Sequence, residues 1–240
     1  MGFFKHHYEN LGKLPGDIPG NERYLPFHYI DKTELKTGND PIGKAVEIES
    51  EKLTKIVLSL EEVRLKHPVQ YCFREVIRNV FEHGETSLCV VFAQKWPRGC
   101  LEIAVLDRGR GIRASLGERY DLTDDYDALL HAISPGVSRV GYDENLDKVW
   151  GNSGYGLYVL SELARLAGMF ILCSGDYGLF INQKSQKQVP YPFQGTAVRL
   201  FLKKPKGKNI NDIINMIIER GSRTQKNGSR KFPSKSTLKI

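Results

Sequence analysis

Two apolar runs, "SLCVVFAQ" (87–94) and "CLEIAVLD" (100–107), stand either side of the turn sequence "KWPRG" (95–99). Their β-branched residues, with Pro and Gly between them, predict a β-hairpin. A hairpin is antiparallel, and an antiparallel sheet commonly buries one face and leaves the other to solvent. The chain must therefore supply a layer to cover the buried face. "MFILCSG" (169–175) and "GLFINQ" (178–183) predict a second hairpin, and "YPFQGTAVRLFL" (191–202) a final strand.

The covering layer reads as helical. Pro41 opens a pattern in which Ile42, Val46, Leu53, Ile56, Val57 and Leu60 recur at helical spacing. Pro68 is placed to open a second helix in its first turn, ending near His83 with Gly84 in the C′ position. Further helices are expected near 112–118, from about Asp124 to Ser134, and at 156–167. This order of elements predicts an α+β two-layer sandwich, a mixed, mostly antiparallel sheet covered on one face by helices.

At 240 residues the chain can bury one sizeable core with at most a small appendage. No apolar run approaches the roughly 18 residues of a membrane helix, and "MGFFKHHYENLGKLPGD" lacks the continuous apolar segment of a secretory signal. Cys72, Cys89, Cys100 and Cys173 are far apart with no C-x-x-C pair, which favours free buried thiols over a structural zinc site. These features predict a cytoplasmic protein with no membrane partner.

The net charge of +7 is unevenly placed. From Lys203 onward 11 basic residues face 2 acidic ones, leaving 24 basic against 26 acidic in the rest. The expected organisation is an irregular arm over 1–40 with room for one short strand, and a folded domain over 41–202. A short amphipathic helix within 203–220 and a disordered basic tail over 221–240 follow. Such a tail either solubilises the chain or gives salt-sensitive, sequence-independent affinity for nucleic acid.

The stretch "EVIRNVFEHG" (75–84) carries the first chemical signal. At roughly 100° per residue, Cys72, Phe73, Val76, Ile77 and Val80 share an arc of about 140°, the face expected against a core. Glu75, Asn79 and His83 form a row along the edge of that arc, while Arg74, Arg78 and Glu82 lie opposite and are expected to face water. Polar groups half-turned into a core need partners. Either they bond neighbouring loops, with His83 suiting the negative helix end, or they face a pocket that holds a cation and a polar ligand. An asparagine oxygen is a hard neutral ligand suited to Mg²⁺, and a nearby carboxylate can activate water.

Two glycine motifs follow. The strand ending in Asp107 runs into Gly109, Gly111 and Ile112 as D-x-G-x-G-I. A carboxylate there can accept a hydrogen bond from an exocyclic amine, and the glycines let the backbone approach a flat ligand. "GNSGYGL", with Gly151, Gly154, Gly156 and Leu157, stands immediately before a helix. Its freed amides and the helix start suit an anion such as phosphate. It is neither a Walker loop nor a dinucleotide fingerprint, since no G-K-[ST] follows and no buried parallel strand precedes it.

Taken in order, Glu75-x-x-x-Asn79, Asp107-x-Gly109-x-Gly111, Gly154-x-Gly156-Leu157 and the "GTAVRL" of the final strand resemble the GHKL ATPase superfamily over roughly 41–202. "EVIRNVFEHG" is most similar to the E-x-x-x-N-x-x-x-H-G of its anti-sigma serine kinase branch. The resemblance implies a Bergerat fold that binds ATP and Mg²⁺, with Asp107 bonding the adenine amine and Thr196, beside Gly195, nearby. Gly109, Gly111 and Ile112 would lie against the base. Asn79 would ligate Mg²⁺, and Gly151, Gly154, Gly156 and Leu157 would surround the phosphates. Glu75 would be the general base, and the stretch from about Pro135 to Ser153, with Arg139 and Lys148, a lid.

The implied activity is slow ATP hydrolysis or transfer of the γ-phosphoryl group to a protein partner. A nucleotide-controlled binding module with little turnover is the first alternative, and a nucleic-acid-associated protein acting through the basic tail is the second. Arg108 and Arg110 make the adenine loop unusually basic. No phosphoacceptor-histidine helix is seen upstream, and a gyrase-type transducer domain does not fit in the 38 residues after Leu202.

Overall fold

Cys89, Val91 and Ala93 are fully buried while Val90 and Phe92 between them are half-exposed, the period-two pattern of a strand covered on one face. The computed structural model describes residues 5–6, 9–10, 24–35, 42–58, 62–96, 99–138, 154–203 and 209–224. In chain order they form β1 (Lys5–His6), β2 (Glu9–Asn10), β3 (Tyr24–Asp31), α1 (Lys32–Leu35), α2 (Ile42–Val57) and α3 (Val63–His83). The hairpin β4 (Leu88–Trp96) and β5 (Cys100–Asp107) follows, then α4 (Ile112–Leu116), α5 (Asp125–Ala132) and α6 (Gly156–Ala167). The chain continues through β6 (Gly168–Gly175), β7 (Tyr177–Asn182), β8 (Gln186–Val189), β9 (Phe193–Leu202) and α7 (Ile210–Thr224).

The fold is α+β. Strands β3 to β9 make one open sheet in the order β3-β4-β5-β9-β6-β7-β8, while β1 and β2 pair only with each other. Every pairing among the described residues is antiparallel, so the expected mixed character is not found. The reason is topological. β5 and β6 both run antiparallel to β9 and hence parallel to each other, but β9 inserts between them.

Two edges differ from expectation. The strand foreseen within the N-terminal arm is eight residues long and forms one edge of the main sheet, paired to β4. The opposite edge, β8, was not foreseen, because "QKQV" carries no apolar alternation.

The helical layer centres on α3. Its residues 71–78 are all buried, including Arg74 (4% exposed) and Arg78 (3% exposed), which the helical periodicity assigns to water. A second helix covers that side: Arg74 Nη1 reaches Glu47 Oε2 of α2 at 3.3 Å, and Gln70 Nε2 donates to Glu47 Oε1 at 2.8 Å. Arg78 bonds Glu82 one turn on, through Nε at 2.9 Å. Buried guanidinium groups thus keep charged partners.

Helix α3 also starts earlier than Pro68, which lies inside it. The proline sits just beyond the first turn and removes a single i→i−4 bond there, so the helix continues through it. Gly84 is not in the left-handed conformation expected of a C′ glycine. Its φ is −76° and its amide still bonds Val80 O at 3.0 Å, and the positive φ falls on Glu85 at 52°.

The C-terminal helix is part of the core, not an appendage, and it extends to Thr224. Ile213, Ile214, Ile217 and Ile218 are buried, and α7 packs on α3 and α6. The residues of the basic tail beyond 224 lie outside the described ones. All four cysteines are free, and Cys72, Cys89 and Cys173 are buried. Burial pushes the Cys72 thiol up to about 12, which keeps it protonated and unreactive. Among the described residues no helix is long and apolar enough to cross a membrane.

Candidate functional site

Asp107 ends β5 on the buried face, opposite Thr196 of β9, with only 4% of its surface exposed. Burial holds its carboxyl above the ordinary aspartate range. Hydrogen bonds from the Gly109 amide (2.7 Å) and from the backbone and hydroxyl of Thr196 act in the other direction. The residue also lines a cleft.

The enclosed part of the cleft has a volume of about 80 Å³. Its floor is the sheet at Val105, Asp107, Thr196 and Val198. One wall is α3 at Val76, Asn79 and Val80, and the facing wall is α4 at Ile112 and Leu116. Gly154, Gly156 and Leu157 line the cleft at the start of α6.

Of the eleven residues that the motifs single out, eight line this one cleft: Asn79, Asp107, Gly111, Ile112, Gly154, Gly156, Leu157 and Thr196. Gly109 lies one bond away, against the Asp107 carboxylate. Gly151 lies outside the described residues, as do Arg139 and Lys148 and most of the expected lid.

Glu75 is the exception. It is 5% exposed and does not line the cleft. Its Oε1 accepts from Arg74 Nε at 3.1 Å and Nη2 at 2.9 Å. Its other oxygen packs under the start of α6: a Cβ on Gly156 would stand 2.7 Å from Glu75 Oε2. That helix has no acidic residue in its own first turn, so Glu75 puts negative charge at its positive end. Asn79 contrasts with it, since its carboxamide faces the cleft and forms no hydrogen bond among the described residues.

The glycine at 109 is explained by a close approach of backbones. A Cβ there would stand 1.9 Å from Gly84 O, the same carbonyl that accepts from the Arg110 amide at 2.9 Å. Neither backbone can yield without breaking that bond. Gly109→Ala is expected to destabilise the fold by about 2–4 kcal/mol. The check is a lowered urea midpoint at unchanged m-value.

Three further residues of the site carry no local sequence signal. Ser174, at the end of β6, accepts from the Ile112 amide at 2.9 Å and donates to Gly195 O at 2.7 Å, tying the loop after Asp107 to β9. Its inward position, in step with Phe170 and Leu172, was the available clue. Arg74 reads as a surface residue, and Ser138 lines the cleft. Scanned against protein-family models the chain matches none, and a search of curated proteins finds no match.

Proposed function

We propose that this chain binds ATP with Mg²⁺ in the cleft, and either hydrolyses it slowly or passes its γ-phosphoryl group to a protein partner. The observation that supports this most is the convergence of motifs far apart in sequence on one cleft, lined by a buried carboxylate and by a helix start. Asp107 accepts from the adenine amine beside Thr196, with Gly109, Gly111 and Ile112 against the base. The amides of Gly154, Gly156 and Leu157 meet the phosphates at the start of α6, whose N-cap residue Tyr155 forms no side-chain cap.

Asn79 suits Mg²⁺ as a neutral oxygen donor with no competing hydrogen bond among the described residues. The ion would shield charge on the phosphates, its remaining ligands being phosphate oxygens and water. Among the described residues no group of three or more His, Cys, Asp or Glu side chains could hold a metal without such a ligand. Glu75 is the candidate general base through Oε2, the oxygen that Arg74 does not hold.

The Arg74 contact favours a second reading. A carboxylate already paired with a guanidinium is a weak proton acceptor, as suits a nucleotide-controlled binding module with little turnover. Phosphate release, measured with and without candidate partners, separates the two.

A thermal-shift titration with a nonhydrolysable ATP analogue tests the site itself. Analogue at 100 times its Kd should stabilise the protein by about 2.7 kcal/mol. Omitting Mg²⁺ should weaken binding, and a GTP analogue should do little. No shift at millimolar analogue would reject the nucleotide reading.

A further inference from the structure

Ser138 lines the cleft, 4% exposed, and its hydroxyl has no hydrogen-bond partner among the described residues. A buried hydroxyl without a partner carries a desolvation penalty that nothing among the described residues offsets. The surrounding backbone holds it in place. The Gly136 amide bonds Gly154 O at 3.0 Å, and a Cβ on Gly154 would stand 2.5 Å from Val137 O, so Gly136 and Val137 run directly beside Gly154. Arg119 Nη1 donates to Ser138 O at 3.4 Å, steadying the residue from outside the cleft.

Ser138 therefore follows a segment held against Gly154, two residues before α6, and lines the same cleft as Gly154, Gly156 and Leu157. An oxyanion there would meet two kinds of donor, the helix amides and a hydroxyl free to rotate toward it. Resting on the ATP reading above, we propose that the Ser138 hydroxyl is a phosphate-binding group of this site, donating to a phosphate oxygen of the bound nucleotide. The ligand satisfies a hydroxyl that the described residues leave bare.

This assignment makes two expectations of opposite sign. Ser138→Ala removes the desolvated hydroxyl, so the ligand-free protein should melt about 2–4 °C higher. The same change should weaken ATP binding roughly tenfold or more, the effect of one hydrogen bond to a charged group. Adenosine affinity should stay within twofold of wild type, because the base end is untouched. Ser138→Thr, which keeps the hydroxyl, should restore ATP affinity.

The experiment is calorimetric titration of ATP and of adenosine, with Mg²⁺, into wild type and both variants, alongside melting of each unliganded protein. Unchanged ATP affinity in Ser138→Ala, an equal loss for adenosine, or a lowered melting temperature would each overturn the assignment. A wild-type protein that binds neither ligand overturns the ATP reading and this inference with it. A wild type that binds ATP, beside a variant that binds it equally well, overturns the Ser138 assignment alone.

Discussion

Glu75→Gln is expected to lower ATP turnover by about 100-fold or more while leaving ATP affinity within about threefold of wild type. The choice of glutamine follows from the packing. Glu75 is 5% exposed, is held by Arg74 and supports the start of α6 at Gly156. Alanine would leave Arg74, itself 4% exposed, with Glu47 as its remaining carboxylate partner among the contacts described, and would open space beneath α6. Losing one partner of a buried ion pair costs about 3–5 kcal/mol. A dead Glu75→Ala protein would therefore say little about chemistry. Glutamine keeps the volume and an acceptor oxygen for Arg74, yet cannot take a proton. Steady-state phosphate release paired with calorimetric ATP binding is the measurement. Turnover unchanged in the Gln variant rejects Glu75 as the base. Turnover and affinity lost together would reassign it to holding the α6 start.

The parts of the site legible in the sequence were those whose geometry is local. Glu75 and Asn79 are one helical turn apart, and Asp107, Gly109 and Gly111 follow one another at a strand exit, so spacing alone brings each set together. What spacing does not reveal is which elements pack behind them. The periodicity of α3 sends Arg74 and Arg78 to solvent because it cannot know that α2 and α7 lie on that helix. Ser174 and Ile112 are bonded across 62 positions of sequence, a distance at which a serine carries no local mark. Strand β8 is polar because it is a sheet edge, where the neighbour β7 rather than a buried face defines it. The helix within 203–220 was legible by its amphipathic isoleucines, but its membership of the core was not, since that depends on the surfaces α3 and α6 offer it. One practical consequence is that a deletion designed to test the basic tail must begin after Thr224 and not after Leu202, or it removes four buried isoleucines.

Asp107→Asn should cost the protein about 100-fold or more in ATP affinity with the fold retained. Three protein donors already converge on the carboxylate, from the Gly109 amide and from the backbone and hydroxyl of Thr196. Asparagine offers a single acceptor oxygen, and its amide would meet the adenine amine donor to donor. An unmatched pair of this kind, added to the loss of a charged hydrogen bond, accounts for a factor of that size. The pH dependence gives a second, independent reading. Burial raises the folded-state pKa of Asp107 above its ordinary value of 3.8, so between these two values the folded protein binds more protons than the unfolded chain. Its contribution to stability therefore falls as pH rises through that window and is level above it. Carboxylates lowered by their partners, Glu49 beside His28 and Asp127 beside Thr123, act with the opposite sign. Only the difference between wild type and Asp107→Asn isolates the Asp107 contribution. That difference should change across the window and flatten above it, while wild-type ATP affinity rises over the same interval as the carboxylate ionises. Urea unfolding and ATP titration at matched pH values would measure both. A variant that binds ATP as tightly as wild type would remove Asp107 from the nucleotide site, whatever the stability curves show.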